Sequence, residues 1–125
     1  MIFELDFHSD ETLYIQLCNQ VIIGIARDVI HEGDDLPSVR QLADEIGINM
    51  HTVNKAYKVL ASQGFIKVDR RTGAVVAISA DRLRALAETE KDLRVLLAKA
   101  SCMGLSKEEI HDLIDRIYEE YGGRD

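Results

Sequence analysis

The sequence predicts a mainly α-helical α+β fold: an N-terminal winged helix-turn-helix, then a short two-helix C-terminal dimerisation element. Three observations carry this. Between Leu36 and Leu60 two short helical patterns flank Gly47, each opened by a capping residue, Ser38 for the first and Asn49 for the second. Two β-prone runs, Phe65–Val68 and Ala74–Ile78, then enclose a short loop with two arginines, the pattern of a β-hairpin wing. Finally, two longer helical patterns with apolar stripes fill the remainder of the chain. The expected boundary divides a reader at residues 1–78 from a dimerising pair of helices at residues 79–125.

Taken in order, residues 1–8 alternate, with Ile2, Phe3, Leu5 and Phe7 around Glu4 and Asp6. They read either as a short strand or as an extended arm that docks its aromatics. Ser9 reads as an N-cap with Asp10 and Glu11 in the first turn, where acids oppose the helix dipole. A long first helix is expected from there to about Ile30. Its apolar stripe of Tyr14, Leu17, Cys18, Val21, Ile25 and Val29 is widened by Ile15, Ile22 and Ile23, so burial on two sides is expected. Residues 31–35 read as an acidic loop. Pro37 ends that loop, Ser38 caps the next helix with Gln41 as its capping-box partner, and Val39, Leu42, Ala43 and Ile46 give it one apolar face. Gly47 stops it. After Asn49, the residues Val53, Ala56, Tyr57 and Leu60 mark the core face of the second helix. Tyr57 is expected to pack in the core with its hydroxyl at the edge. Gly64 closes this helix as a C′ glycine.

Beyond the wing, Leu83, Leu86, Leu93, Leu97 and Ala100 step by threes and fours until Gly104. Ser106 to Glu109 reads as a capping box. The last helix then places Ile110, Leu113, Ile114, Ile117, Tyr118 and Tyr121 on one face and ends at Gly122-Gly123.

Composition bounds the function. With 46% hydrophobic and 30% charged residues the chain is of globular type. No apolar run reaches the ~20 residues of a membrane span. The N-terminus lacks the basic start of a signal peptide, so a cytoplasmic protein without membrane partners is expected. Cys18 and Cys102 lack metal-type spacing and read as thiols. The histidines His8, His31, His51 and His111 are scattered. No phosphate-binding loop, dinucleotide fingerprint or nucleophile motif is present, so neither an enzyme nor a cofactor is expected.

The net charge of −7 disfavours nucleic acid at first sight, but its distribution matters more. Residues 1–36 carry one basic and eight acidic residues, net −7, and residues 79–125 carry eight and eleven, net −3. Residues 37–78 carry six basic and three acidic residues, net +3, and are the only basic third. The second helix also bears Asn49, His51, Thr52, Asn54, Lys55 and Lys58, donors and acceptors suited to phosphates and base edges.

The stretch LPSVRQLADEIGINMHTVNKAYKVLASQGFI resembles the winged-helix domain of GntR-family bacterial transcription regulators, over about Tyr14 to Ala77. The matching pattern is L-P-S-x-R-x-L-A, then N-x-x-T-V-x-x-A-Y, then an apolar pair after glycine, and Tyr14 and Gln16 match the start of the first helix. The short helical remainder resembles the YtrA-like subfamily. The resemblance implies a homodimeric regulator, of repressor type, that binds double-stranded DNA at an inverted repeat. It implies DNA contacts from Ser38, Arg40, Asn49, Met50, His51, Thr52, Asn54 and Lys55, and from Arg70, Arg71 and Gly73 of the wing. The apolar faces of Leu86, Leu93, Leu97, Leu113 and Ile117 exceed what a single wing and three short helices can cover, so a dimer interface through them is expected; the alternative is a lid that completes the monomer's own core. Three positions depart from the family pattern, two of them in the wing: Arg71 replaces the first wing glycine, and Val75 the aromatic after the wing. Met50 stands where proline or a polar residue is usual. The competing reading is a winged-helix protein–protein interaction module without DNA binding. Any small-molecule effector is left unidentified by the sequence.

Overall fold

The computed structural model describes residues 3–71 and 73–122. Ile2 of the N-terminal alternation, Thr72 of the wing and Gly123 of the last stop signal lie outside these residues. The chain divides into two compact units, Met1–Ser79 and Ala80–Asp125.

In the first unit, α1 (Leu13–Ala26), α2 (Val39–Ile46) and α3 (Met50–Ser62) surround one core, and β1 (Ile66–Asp69) with β2 (Gly73–Val76) forms an antiparallel hairpin. The largest fully buried side chains are Leu17 and Val21 of α1, Leu42 of α2, Val53 and Leu60 of α3, and Val76 of β2. Helix α3 is the hub, packed against α1, α2 and β1. Local capping sets the two short helices. Ser38 Oγ accepts from the Gln41 amide at 3.1 Å, which is one half of the expected capping box. Gly47 turns left-handed at φ +81°, and Asn49 Oδ1 accepts from the His51 amide at 2.7 Å. The buried Tyr57 donates its hydroxyl to the Pro37 carbonyl at 2.7 Å, tying the middle of α3 to the entrance of α2. Burial, and then the nearby Glu45 charge, push the Tyr57 phenol well above its ordinary value.

The first helix is shorter than the periodicity predicts. Ser9 does not cap it; its hydroxyl accepts from Glu11 in a preceding turn, and the helix starts after Thr12. It ends at Ala26 rather than near Ile30. Asp28 adopts φ +61°, and the amides of Val29 and Ile30 both donate to the Gly24 carbonyl, at 2.9 and 3.0 Å. Asp28 thus occupies the left-handed C′ position more often held by glycine. The chain folds back so that Ile30 is buried over Gly24, where an added Cβ would lie 2.7 Å from Ile30 Cδ1.

The N-terminal segment is an extended arm, not a strand. Two glutamine side chains of α1 pair with its backbone as a neighbouring strand would. Gln16 accepts from the Asp6 amide at 2.7 Å and donates to the Asp6 carbonyl at 2.9 Å. Gln20 does the same for Glu4, accepting at 2.9 Å and donating to its carbonyl. Phe3 and Leu5 pack against the core, whereas Phe7 remains 56% exposed and does not dock.

The strands are offset from the expected runs. Phe65 precedes β1 and belongs to the α3 stop signal, donating to the Leu60 carbonyl at 3.0 Å, and β2 begins at Gly73 and ends at Val76. The acidic segment before α2 is more than a loop. Leu36 donates to Ala74 at 2.9 Å, Val76 to Asp34 at 2.9 Å and Gly33 to Val76 at 2.7 Å. Asp35 bridges to Val75, so this segment lines the second edge of β2.

In the second unit, α4 (Arg82–Cys102) is capped by Asp81 and α5 (Lys107–Glu120) by Ser106. The capping box of Ser106 and Glu109 is complete, with reciprocal bonds of 3.0 and 3.1 Å. Hydrogen bonding from the Ser106 backbone amide, and then from its side chain, holds the Glu109 carboxyl below its ordinary value of 4.5. A depressed folded value means the box is stabilising above pH 4.5 and is lost as pH falls through the lower, folded value. Acidification is therefore expected to raise amide exchange at the first turn of α5 before the core of the first unit responds. Unchanged exchange at Glu109 and Ile110 down to pH 3 would remove the carboxylate from the cap. No side chain of α4 or α5 is buried, and the surface ion pairs Arg84–Glu88 and Arg94–Glu90 add little to either helix.

Candidate nucleic-acid interface

Helix α3 turns its apolar side inward and its polar side out. Val53, Ala56, Tyr57 and Leu60 are buried, while His51, Asn54, Lys55, Lys58 and Ser62 are exposed along the opposite face. The spacing of three and four residues makes this a single stripe. Together with Val59, the stripe lines one open groove. Asn49, Met50, His51 and Asn54 line a second hollow with Val39, at the point where the starts of α2 and α3 approach. The structure therefore brings five of the sequence-selected residues together: Asn49, Met50, His51, Asn54 and Lys55. Met50 is 43% exposed, an apolar contact surface at the start of α3.

The remaining candidates are placed less uniformly. Arg40 is the second residue of α2 and exposed, and no acidic side chain among the described residues pairs with it. Ser38 is occupied as a cap, which leaves its helix N-terminus able to attract an anion. Thr52 is half-buried, so it stands at the margin of the stripe. On the wing, Arg70 and Arg71 are exposed at the tip of the hairpin, where Asp69 pairs with Gly73 at the last rung. The Asp69 carboxylate accepts from the Arg71 amide at 2.7 Å, so it organises the turn that presents the arginines. Gly73 has φ +80°, a backbone that side chains rarely adopt.

One feature of the stripe escaped sequence reasoning. The Lys55 ammonium sits 4.1 Å from the centroid of the Tyr14 ring, contributed by the first turn of α1. In the sequence Tyr14 stands on the apolar stripe of α1 and matches the start of the family's first helix, but nothing local links it to a residue 41 positions away. Among the described residues no cluster of histidine, cysteine or acidic side chains could hold a metal ion, and no helix is long and apolar enough to cross a membrane.

A capped helix-turn-helix with an exposed polar stripe on its second helix, followed by a hairpin tipped with arginines, defines a winged-helix DNA-binding regulator. Residues 13–76 match the model of the bacterial regulatory proteins of the gntR family. The chain belongs to the GntR family. It is 30% identical to the HTH-type transcriptional repressor YtrA of Bacillus subtilis strain 168, over 98% of this chain and 96% of that protein. Among solved structures, it is similar to one described as a transcriptional antiterminator from Listeria monocytogenes EGD-e, with a TM-score of 0.84, 30% identity and coverage of 94% and 93% of the two chains. The DNA-binding domain of AraR in complex with operator ORE1 is similar over 62% of this chain and 94% of its own, with a TM-score of 0.51 and 25% identity. These relatives are regulators, not enzymes.

Proposed function

We propose that the protein is a repressor that binds an inverted-repeat operator as a homodimer. The observation that carries the dimer is the bareness of the second unit. Leu86, Leu93 and Leu97 of α4 are 63%, 38% and 41% exposed, and Leu113 and Ile117 of α5 are 41% and 37% exposed. Two helices that bury no side chain leave an apolar face that calls for a partner, and the self-complementary partner always at hand is a second copy. Likeness to a named repressor extends through this region, since it covers nearly the whole chain. In this reading residues 1–78 read DNA and residues 79–125 dimerise. Met50, His51, Asn54 and Asn49 face base edges, Arg40 reads a base from α2, Lys55 and the Ser38 helix start meet phosphates, and Thr52 supports them from the margin. Arg70, Arg71 and Gly73 present the wing over a flanking minor groove, where a narrow A·T-rich segment concentrates negative potential.

A two-fold dimer sets two α3 helices in successive major grooves, with centres ~34 Å or about ten base pairs apart. Sedimentation at micromolar concentration is expected to show a species of twice the 14.1 kDa chain mass. Selection from random duplexes is expected to return inverted repeats with that spacing. A clean monomer that protects single half-sites would overturn both the dimer and the operator geometry.

A further inference from the structure

Lys55 differs from the other cations of the α3 stripe in having an aromatic floor. Its Nζ lies 4.1 Å from the Tyr14 ring centroid, the one such cation–ring contact among the described residues. The floor is itself fixed: Tyr14 packs against the core from the first turn of α1, and α1 packs along α3. A lysine on a bare surface spreads its ammonium over a wide arc, because four side-chain bonds rotate. Attraction to the negative face of a ring narrows that arc. The ring occupies only one side of an ammonium that carries three donors, and Lys55 is otherwise exposed, so donors remain for a second partner.

We propose that Tyr14 is a positioning residue for DNA binding: its ring holds the Lys55 ammonium where a backbone phosphate meets it. This rests on the reading of α3 as the helix that faces DNA. Because a phosphate contact carries no sequence information, Tyr14 contributes to affinity for every duplex and not to the choice among them.

The test uses the full chain with a selected inverted-repeat duplex and an unrelated duplex, each titrated over a range of salt. Tyr14→Leu is expected to weaken binding to both about 2–5-fold, the effect of an exposed cation–π contact, whereas Tyr14→Phe, which keeps the ring face, binds as wild type. Lys55→Ala is expected to weaken both duplexes and lower the salt slope by about one. In a Lys55→Ala background, Tyr14→Leu should then change nothing further, since the two act as one unit. A Tyr14→Leu loss that persists in that background would assign Tyr14 a merely structural role and overturn the proposal. A second readout needs no variant. The Lys55 ε-methylene protons should be shifted upfield by the ring in the free protein and remain so in the operator complex, and their return to ordinary positions on DNA binding would also overturn it. Should Lys55→Ala bind both duplexes as wild type while the upfield shift is present, the contact stands but the DNA-facing reading of Lys55 falls, and the proposal with it.

Discussion

Leu60→Ala lowers the unfolding free energy of the first unit by about 2–5 kcal/mol, the range for truncating a buried leucine where the surroundings relax only partly. Leu60 has no exposure and lies on α3, which packs against α1, α2 and β1. Its carbonyl also accepts the Phe65 amide that closes α3 ahead of the wing. The cavity therefore opens where three helices and the hairpin meet. Domains of this size hold roughly 5–15 kcal/mol in total, so the loss is a large share of what keeps the reader folded. Urea denaturation followed by circular dichroism is the measurement: the midpoint should fall while the slope stays constant. Leu86→Ala is the control. With its side chain 63% exposed, it should leave the fold of the chain within ~0.5 kcal/mol and act instead on dimer dissociation. Equal midpoints for wild type and Leu60→Ala would mean that the core does not centre on α3.

Arg40→Ala weakens operator binding by about 1–3 kcal/mol and relaxes the preference for one base pair in each half-site. The expectation follows from its place. Arg40 projects from the first turn of α2, directly after the Ser38 cap, and no carboxylate among the described residues engages it. A guanidinium free of internal partners can present two parallel donors to a guanine edge. Affinity for an unrelated duplex should fall much less, by the share of one charge at most. Titration of the variant against the selected operator and single-base variants of it separates these outcomes. If Arg40→Ala binds the operator as tightly as wild type, the reader lies on α3 alone.

The two effects differ in kind. Leu60 is expected to act on how much folded reader exists, and Arg40, in the proposed reading, on what the folded reader recognises. Net charge makes the second distinction sharp, because a chain at −7 has little diffuse attraction for DNA and relies on the local +3 of residues 37–78.

The α2–α3 pair and the box at α5 were determined by the sequence alone, because their signals are local. A cap such as Ser38, Asn49 or Ser106 bonds an amide two or three residues on, and Gly47 turns the chain wherever it stands. The alternation of buried Val53, Ala56, Tyr57 and Leu60 with the exposed polar stripe follows from helical period once those ends are set. Only the tertiary structure decided the rest. Helix α1 stops at Ala26, where the chain folds back to bury Ile30 over Gly24, and an aspartate, not a glycine, takes the left-handed turn. The acidic segment at 33–36 pairs with β2, although it has no strand alternation, because its partners lie some 40 residues away and their free backbone groups require bonding. The bonds of Gln16 and Gln20 to the N-terminal arm exist only once the arm is laid against α1. The Tyr14 ring beneath Lys55 likewise exists only once α1 lies along α3. Apart from the turn that ends α1, whose partners lie within six residues, these depend on contacts between distant segments, which hydrophobic period and capping residues do not encode.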